Sequence, residues 1–314
     1  MIFNTSIHSS ATSKGILASI CASCLFAIIP MYLQLQWHIP LPDLSSPGNW
    51  LAGQRIIWST VFMLLILWKM GRISLFWGQL KKWRLWPRYF ISALLIAPQF
   101  WIFFWAPVNG ETLSVALGYF ALPLVLVAVG RFIYGEQLTR VQTLACLIAT
   151  GAVAYAYFIA DGLSWVVFVI ACGYPLYFIW RRRYPMHSDV VFCLDNLFLL
   201  PIAIPALLYI YPWAQWSDIQ TLNWFYYMGL ALVGTLPMLL FLYASKHLPI
   251  SFFGLLSYLE PVLVFIVALL IGEQVNIIEI PIYMAIIASL VLIGIDTFAR
   301  REISKYKNTK TSTH

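Results

Sequence analysis

Apolar residues in this chain are grouped into long unbroken runs, with neither the alternation of a half-buried strand nor the one-sided stripe of a soluble helix. Ten runs predict helices at about 15–36, 50–69, 89–107, 112–134, 141–159, 163–180, 189–211, 223–244, 250–271 and 278–298. About 20 apolar residues cross roughly 30 Å of hydrocarbon, so each run is of spanning length. A period-two pattern, as in a membrane β-barrel, is absent. The expected class is an all-α polytopic membrane protein with ten transmembrane helices.

Charge adds an orientation. Of the 314 residues, 61% are hydrophobic and 10% charged, against roughly a quarter charged in soluble domains. Placing the first residues in the cytoplasm puts Lys14, Lys69, Arg72, Lys81, Lys82, Arg84, Arg88, Arg140, Arg181, Arg182, Arg183, Lys246 and the tail from Arg300 to Lys310 on the cytoplasmic side. The five opposite loops carry acids such as Asp43, Glu111, Asp161, Asp218 and Glu279, and neither lysine nor arginine. By the positive-inside rule both termini are cytoplasmic. The net charge of +7 is then a topological signal and not a nucleic-acid footprint. The five cysteines lie in apolar runs and no histidine lies at the centre of one, so neither a metal nor another cofactor is expected.

The chain also repeats itself. GYFALPLVLVAVGRFIYGEQ (118–137) echoes SYLEPVLVFIVALLIGEQ (257–274); each has an aromatic three residues before a proline and closes on Gly-Glu-Gln. Pro30 and Tyr32 are matched by Pro175 and Tyr177, and PQFWIFFWA (98–106) by PMLLFLYA (237–244). Five spans follow five, so the second set enters from the opposite side. The expected domains are a first repeat over 14–159, an inverted repeat over 163–301 and a basic cytoplasmic tail over 302–314. Inverted repeats of this kind characterise secondary transporters, which bind solute between the halves near the bilayer midplane.

Prolines 30, 98, 123, 175, 237 and 261 fall within spans 1, 3, 4, 6, 8 and 9. Each removes a backbone hydrogen bond, so these helices are expected to be broken against protein or a wet cavity. Spans 5 and 10 have no internal proline and are expected at the periphery.

Ionisable groups inside spans cost about 2.5–3.5 kcal/mol on insertion scales and are functional candidates by default. Glu260 lies near the middle of span 9, with Ser257 on the same face, and Pro261 frees the Ser257 carbonyl. That patch suits a substrate or coupling-ion site; a neutral carboxyl bonded to a neighbouring helix is the structural alternative. Arg55 either clamps a substrate carboxylate or gates the interface. Asp195 with Asn196 is either an inner gate or a helix–helix bond. Arg131 and Glu136 are expected to form a terminal ion pair or caps, and Glu273 a cap. Trp101, Trp105, Tyr32, Tyr119, Tyr177 and Tyr258 are candidates to line a cavity for a flat or partly apolar solute.

These motifs resemble a known family. The paired Pro…Gly-Glu-Gln repeats, with Leu259-Glu260-Pro261 in the second, are similar to the duplicated unit of EamA-type transporters in the drug/metabolite transporter superfamily. Residues Gln54 to Ser59, Leu117 to Leu124 and Asp195 to Pro201 resemble its RarD branch, and the likeness covers about 14–301. It implies a ten-helix inverted-repeat carrier whose central cavity is lined mainly by spans 1, 3, 4, 6, 8 and 9. Gln54 stands where the family often has histidine. Glu260 fits the wider family better than the branch.

The expectation is thus a non-enzymatic carrier in the bacterial inner membrane, a monomer or weak homodimer, with the lipid bilayer, a small-molecule substrate and protons as partners. It moves an amino-acid-like or aromatic metabolite by alternating access. A drug or cationic-solute exporter with Glu260 as counter-ion is the alternative. A membrane-embedded enzyme or receptor finds no nucleophile–base set or sensor domain in the sequence.

Overall fold

The computed structural model describes residues 5–35, 44–159, 164–270 and 277–311, and these are almost entirely helical. The helices are α1 (Thr5–Phe26), α2 (Ile29–Gln34), α3 (Pro47–Lys69), α4 (Ile73–Leu80), α5 (Trp86–Val108), α6 (Thr112–Phe132), α7 (Arg140–Ile159), α8 (Trp165–Arg183), α9 (Ser188–Ile210), α10 (Thr221–His247), α11 (Ile250–Ser257), α12 (Leu259–Leu270) and α13 (Ile280–Thr311). Nine stretches of the described residues are long and apolar enough to cross a membrane. The sixth run of the sequence, α8, is not among them; its last turn is Arg181, Arg182 and Arg183.

Only two of the six prolines coincide with a break. The first span divides at Ala27–Ile28, just before Pro30, and the ninth at Tyr258, just before Pro261. Pro98, Pro123, Pro175 and Pro237 lie within continuous α5, α6, α8 and α10, which corrects the expectation that all six interrupt their helices. A proline removes only one amide from the ladder, and tight packing on both sides keeps the helix in register. At Tyr258 a second competitor is present: the Ser257 hydroxyl turns back to the Gly254 carbonyl at 2.6 Å. The two broken spans are neighbours, α12 packing against both α1 and α2.

Cross-packing of the two halves comes in matched pairs. α1 packs on α10 as α5 packs on α8; α3 packs on α10 as α9 packs on α5. α3 meets α9, α6 meets α11, and α7 meets α13. The α7–α13 pair is outermost, joined through an alanine stripe (Ala145, Ala149, Ala152, Ala156) and a bond from Ser289 Oγ to the Ala145 carbonyl at 2.9 Å. Small residues let the backbones approach where lipid offers no hydrophobic drive. The stripe Ser19, Ser23 and Ala27 in the first span is likewise buried.

At the end of the bundle bearing the arginine triplet, Glu136 joins the halves. Its carboxylate accepts from the Ile250 and Ser251 amides at 2.8 and 2.7 Å, capping α11, and lies 3.8 Å from Arg182. Arg182 in turn donates to the Ser245 and Leu248 carbonyls. Arg131 reaches only the Glu136 backbone carbonyl, at 3.3 Å, so the two side chains do not form an ion pair. Glu273 lies outside the described residues. At the other end Trp50 is fully buried against Tyr211, Trp216 and Tyr227.

Gly48 shows how tightly α3 starts against α5: a Cβ there would stand 2.6 Å from the Phe104 carbonyl oxygen and 2.9 Å from Trp105 Cα. Backbone cannot yield as a side-chain tip can. Gly48→Ala is expected to destabilise the detergent-solubilised protein by about 1–3 kcal/mol. Gly78→Ala, whose Cβ would meet nothing within 4 Å, should be neutral or stabilising by up to about 1 kcal/mol. Thermal unfolding of the two variants against the wild type is the check.

Candidate functional site

Both breaks and the centres of five continuous helices converge on one narrow cavity with about 40 Å3 of free space. Phe26 and Ile29 flank the first break, and Glu260 enters two residues after the second. Arg55 comes from α3, Gln99, Phe103 and Phe104 from α5, Tyr119 and Leu122 from α6, Tyr174 from α8, and Leu230, Gly234 and Phe241 from α10. Glu260 and Leu122 occupy matching places before Pro261 and Pro123, as do Ile29 and Tyr174 before Pro30 and Pro175. The repeat therefore delivers corresponding positions to one space, with a carboxylate in one copy only.

Arg55 is 8% exposed and does not reach an interface. Its guanidinium lies 4.0 Å above the Phe100 ring, and Nη2 is 3.5 Å from the Gly234 carbonyl. Gly234 is what lets it sit there, because a Cβ would be 2.7 Å from Arg55 Nε. A ring face and a distant carbonyl do not replace a carboxylate, and among the described residues Arg55 has no ion pair. Glu260 is half-buried and, among the described residues, makes neither a hydrogen bond nor an ion pair. Tyr119 and Tyr174 line the same space, with ring centres 6.5 Å apart. Each tyrosine feels both Arg55 and Glu260 electrostatically. Gln99 donates from Nε2 to the Val169 carbonyl at 2.8 Å, over Gly173, and leaves its Oε1 a buried acceptor without a partner.

A guanidinium, a carboxyl group and an unmatched acceptor thus line a mainly apolar, aromatic space. A few polar groups converging on an apolar lining are the usual composition of small-molecule sites, and the free space here, about 40 Å3, must widen to admit a solute. Among the described residues no cluster of three or more metal-ligating side chains forms.

The other sequence candidates lie elsewhere. Ser257 is buried and bonds within its own helix. Tyr258 is fully buried and donates to the Phe120 carbonyl at 3.2 Å, tying the α11–α12 break to α6. Tyr32 stacks on Tyr226 with centroids 5.5 Å apart and donates to the Tyr226 carbonyl at 2.9 Å. Trp101 and Trp105 cluster with Trp165, and the Trp101 indole N–H donates to Asn49 Oδ1. Tyr177 donates to Asp195 Oδ2 at 2.6 Å, and Arg181 lies 3.7 Å from the same carboxylate. Asn196 bonds back to the Phe192 carbonyl of its own helix at 2.8 Å and makes no helix–helix bond of its own. Of the sequence candidates, Arg55, Tyr119 and Glu260 meet. Tyr174, Gln99 and Gly234 complete the site without having been singled out. The signal for Tyr174 was its place before Pro175, matching Ile29; Gln99 and Gly234 act through cross-helix approaches that no local motif announces.

With this geometry established, comparison with known proteins places the chain. The "Chloramphenicol-sensitive protein RarD" of Pseudomonas aeruginosa is 36% identical over 91% of this chain and 95% of its own length. This chain belongs to the EamA-like transporter family, in its RarD branch. The family's model matches residues 167–295. An uncharacterised transporter of Haemophilus influenzae is 33% identical over 90% of this chain and 94% of its own. Protein RarD of Salmonella typhi is 28% identical over 82% and 86% respectively. A solved crystal structure, 17% identical, covers 93% of this chain and 98% of its own with a TM-score of 0.65, and shares the fold. The chain is therefore a multi-pass membrane transporter.

Two tyrosines separate packing from binding. Tyr177→Phe strips a buried carboxylate of a donor and is expected to cost about 1–3 kcal/mol of stability. Tyr174→Phe removes one phenol hydroxyl from the cavity lining and should shift unfolding less while weakening solute binding. Unfolding midpoints and solute titrations on both variants distinguish the two roles.

Proposed function

We propose that this RarD-branch transporter is a secondary carrier for zwitterionic solutes, amino-acid-like with an apolar or aromatic side chain, working by alternating access in the bacterial inner membrane. The observation that carries the proposal is the placement of Arg55 and Glu260 on one cavity that Tyr119 and Tyr174 also line. Arg55 takes the solute carboxylate, for which its planar fork is suited. Glu260, assisted by Gln99 Oε1, takes the ammonium. Phe103, Phe104 and Phe241 receive the side chain. Occupancy relieves the two uncompensated charges together, which makes the bound state differ from the empty one in a way that can bias a conformational equilibrium.

The carrier is read as ten spans in two inverted halves, 14–159 and 163–301, with both termini cytoplasmic. The matched packing of helix pairs across the halves supports that reading, as does the gathering of arginines and lysines at one end. The Glu136 cap and the Arg182 contacts fasten the halves at that end, and opening toward the cytoplasm requires their release.

Proton coupling rests on Glu260. A carboxylate that holds either a proton or the solute's ammonium exchanges one for the other across the cycle. A solely cationic drug would use Glu260 but leave Arg55 uncompensated, so the zwitterion is preferred. In proteoliposomes, a panel of amino acids is expected to include solutes whose flux responds to an imposed pH gradient, and Glu260→Gln should remove that response. Gradient-driven flux unchanged in Glu260→Gln would refute the coupling role, and absence of flux for every solute from folded wild-type protein would refute the carrier reading.

A further inference from the structure

We infer that the basic end of the bundle holds a binding site for a phosphate group, between the first turn of α5 and the last turn of α8. A second cavity of about 280 Å3 opens there, lined by Arg88, Tyr89, Ser92, Arg181, Arg183 and Tyr184 among others, and among the described residues no acidic side chain lines it. It is separate from the Arg55–Glu260 cavity and shares none of its residues.

Arg88 and Arg183 are exposed, and alone they are accounted for by the rule that cytoplasmic loops are basic. Arg181 is not accounted for in that way. Its side chain is only 12% exposed, and its buried Nη1 has no hydrogen-bond partner. Of the nearby acids only Asp195 pairs with it, at 3.7 Å and without a hydrogen bond to Nη1. Asp189 is paired with Arg72 at 2.6 Å, and Asp195 also accepts from Tyr177. Three guanidinium groups therefore face one space with one partly engaged carboxylate behind them.

The mouth of this cavity is pre-set. The Trp180 indole donates to the Arg88 carbonyl at 3.2 Å, and the Arg88 guanidinium stacks 4.6 Å above the Tyr184 ring. Arginine forks match phosphate oxygens two at a time, and more than one fork can engage a single group. Two exposed tryptophans, Trp83 and Trp86, lie shortly before Arg88 in the chain; such rings favour headgroup depth in a bilayer. The chemistry is shared by the phosphodiester of an anionic lipid and by free phosphate, and the tryptophans favour the lipid.

Purified full-length protein in detergent can be tested by thermal unfolding and native mass spectrometry with phosphatidylglycerol, phosphatidylcholine and inorganic phosphate. Phosphatidylglycerol is expected to raise the unfolding midpoint and to remain bound, with phosphatidylcholine at least about five-fold weaker. Stabilisation by inorganic phosphate equal to that by phosphatidylglycerol would assign the site to a soluble phosphate instead of the lipid. Arg88→Gln with Arg183→Gln should weaken the bound probe at least about ten-fold (about 1.4 kcal/mol). Lys69→Gln with Arg140→Gln, which removes the same charge from exposed positions elsewhere, should leave it intact. Equal losses in both double variants, or no response of the wild type to either phosphate probe, would overturn the proposal.

Discussion

The separation of Arg55 from Glu260 is the constraint on which the rest of the centre depends. Arg55 is buried and Glu260 half-buried in a low-polarity space, at a cost that a direct ion pair would reduce. Instead, Arg55 rests on the Phe100 ring and Glu260 has neither a hydrogen bond nor an ion pair among the described residues, with Tyr119 and Tyr174 lining the same cavity. Close glycines make the arrangement possible: Gly234 admits the arginine, and Gly173 admits Gln99. Relaxing it by letting the charges meet would close the cavity to a solute carrying both.

The same constraint gives meaning to the asymmetry between otherwise matched halves. Spans 1 and 9 are broken and pack together, whereas their counterparts, spans 6 and 4, run unbroken as α8 and α6 and also pack together. The continuous pair carries the tyrosines, and the discontinuous pair carries Glu260 beside a turn. Continuous helices thus face a pair interrupted by turns at Ala27–Ile28 and Tyr258.

Much of this was legible in the sequence, for physical reasons that can be named. Apolar runs and the one-sided placement of lysine and arginine report on lipid, which acts on every residue of a span, so helix positions are strongly written. Arg55 and Glu260 were legible because charge in a span is costly and therefore rare. The prolines were legible as residues but not as breaks: whether a missing amide interrupts a helix depends on its neighbours, and Pro123 and Pro175 are held by packing where Pro261 is aided by the Ser257 hydroxyl. Aromatics were least legible. Tyr119, Tyr174, Tyr177 and Tyr258 look alike in sequence, yet two face the cavity and two are spent on Asp195 and the Phe120 carbonyl. A rotation of one position around a helix, about 100°, decides between those fates.

The most direct measurement of the central claim is a binding cycle combining ligand and protein changes. For an aromatic amino acid that binds the wild type, affinities would be compared with its methyl ester and its desamino acid, in wild-type, Arg55→Ala and Glu260→Gln proteins. If the two residues hold opposite ends of one solute, esterification weakens binding to the wild type but makes little difference in Arg55→Ala, and loss of the amine makes little difference in Glu260→Gln. Ligand preferences unchanged from wild type in both variants would contradict the account.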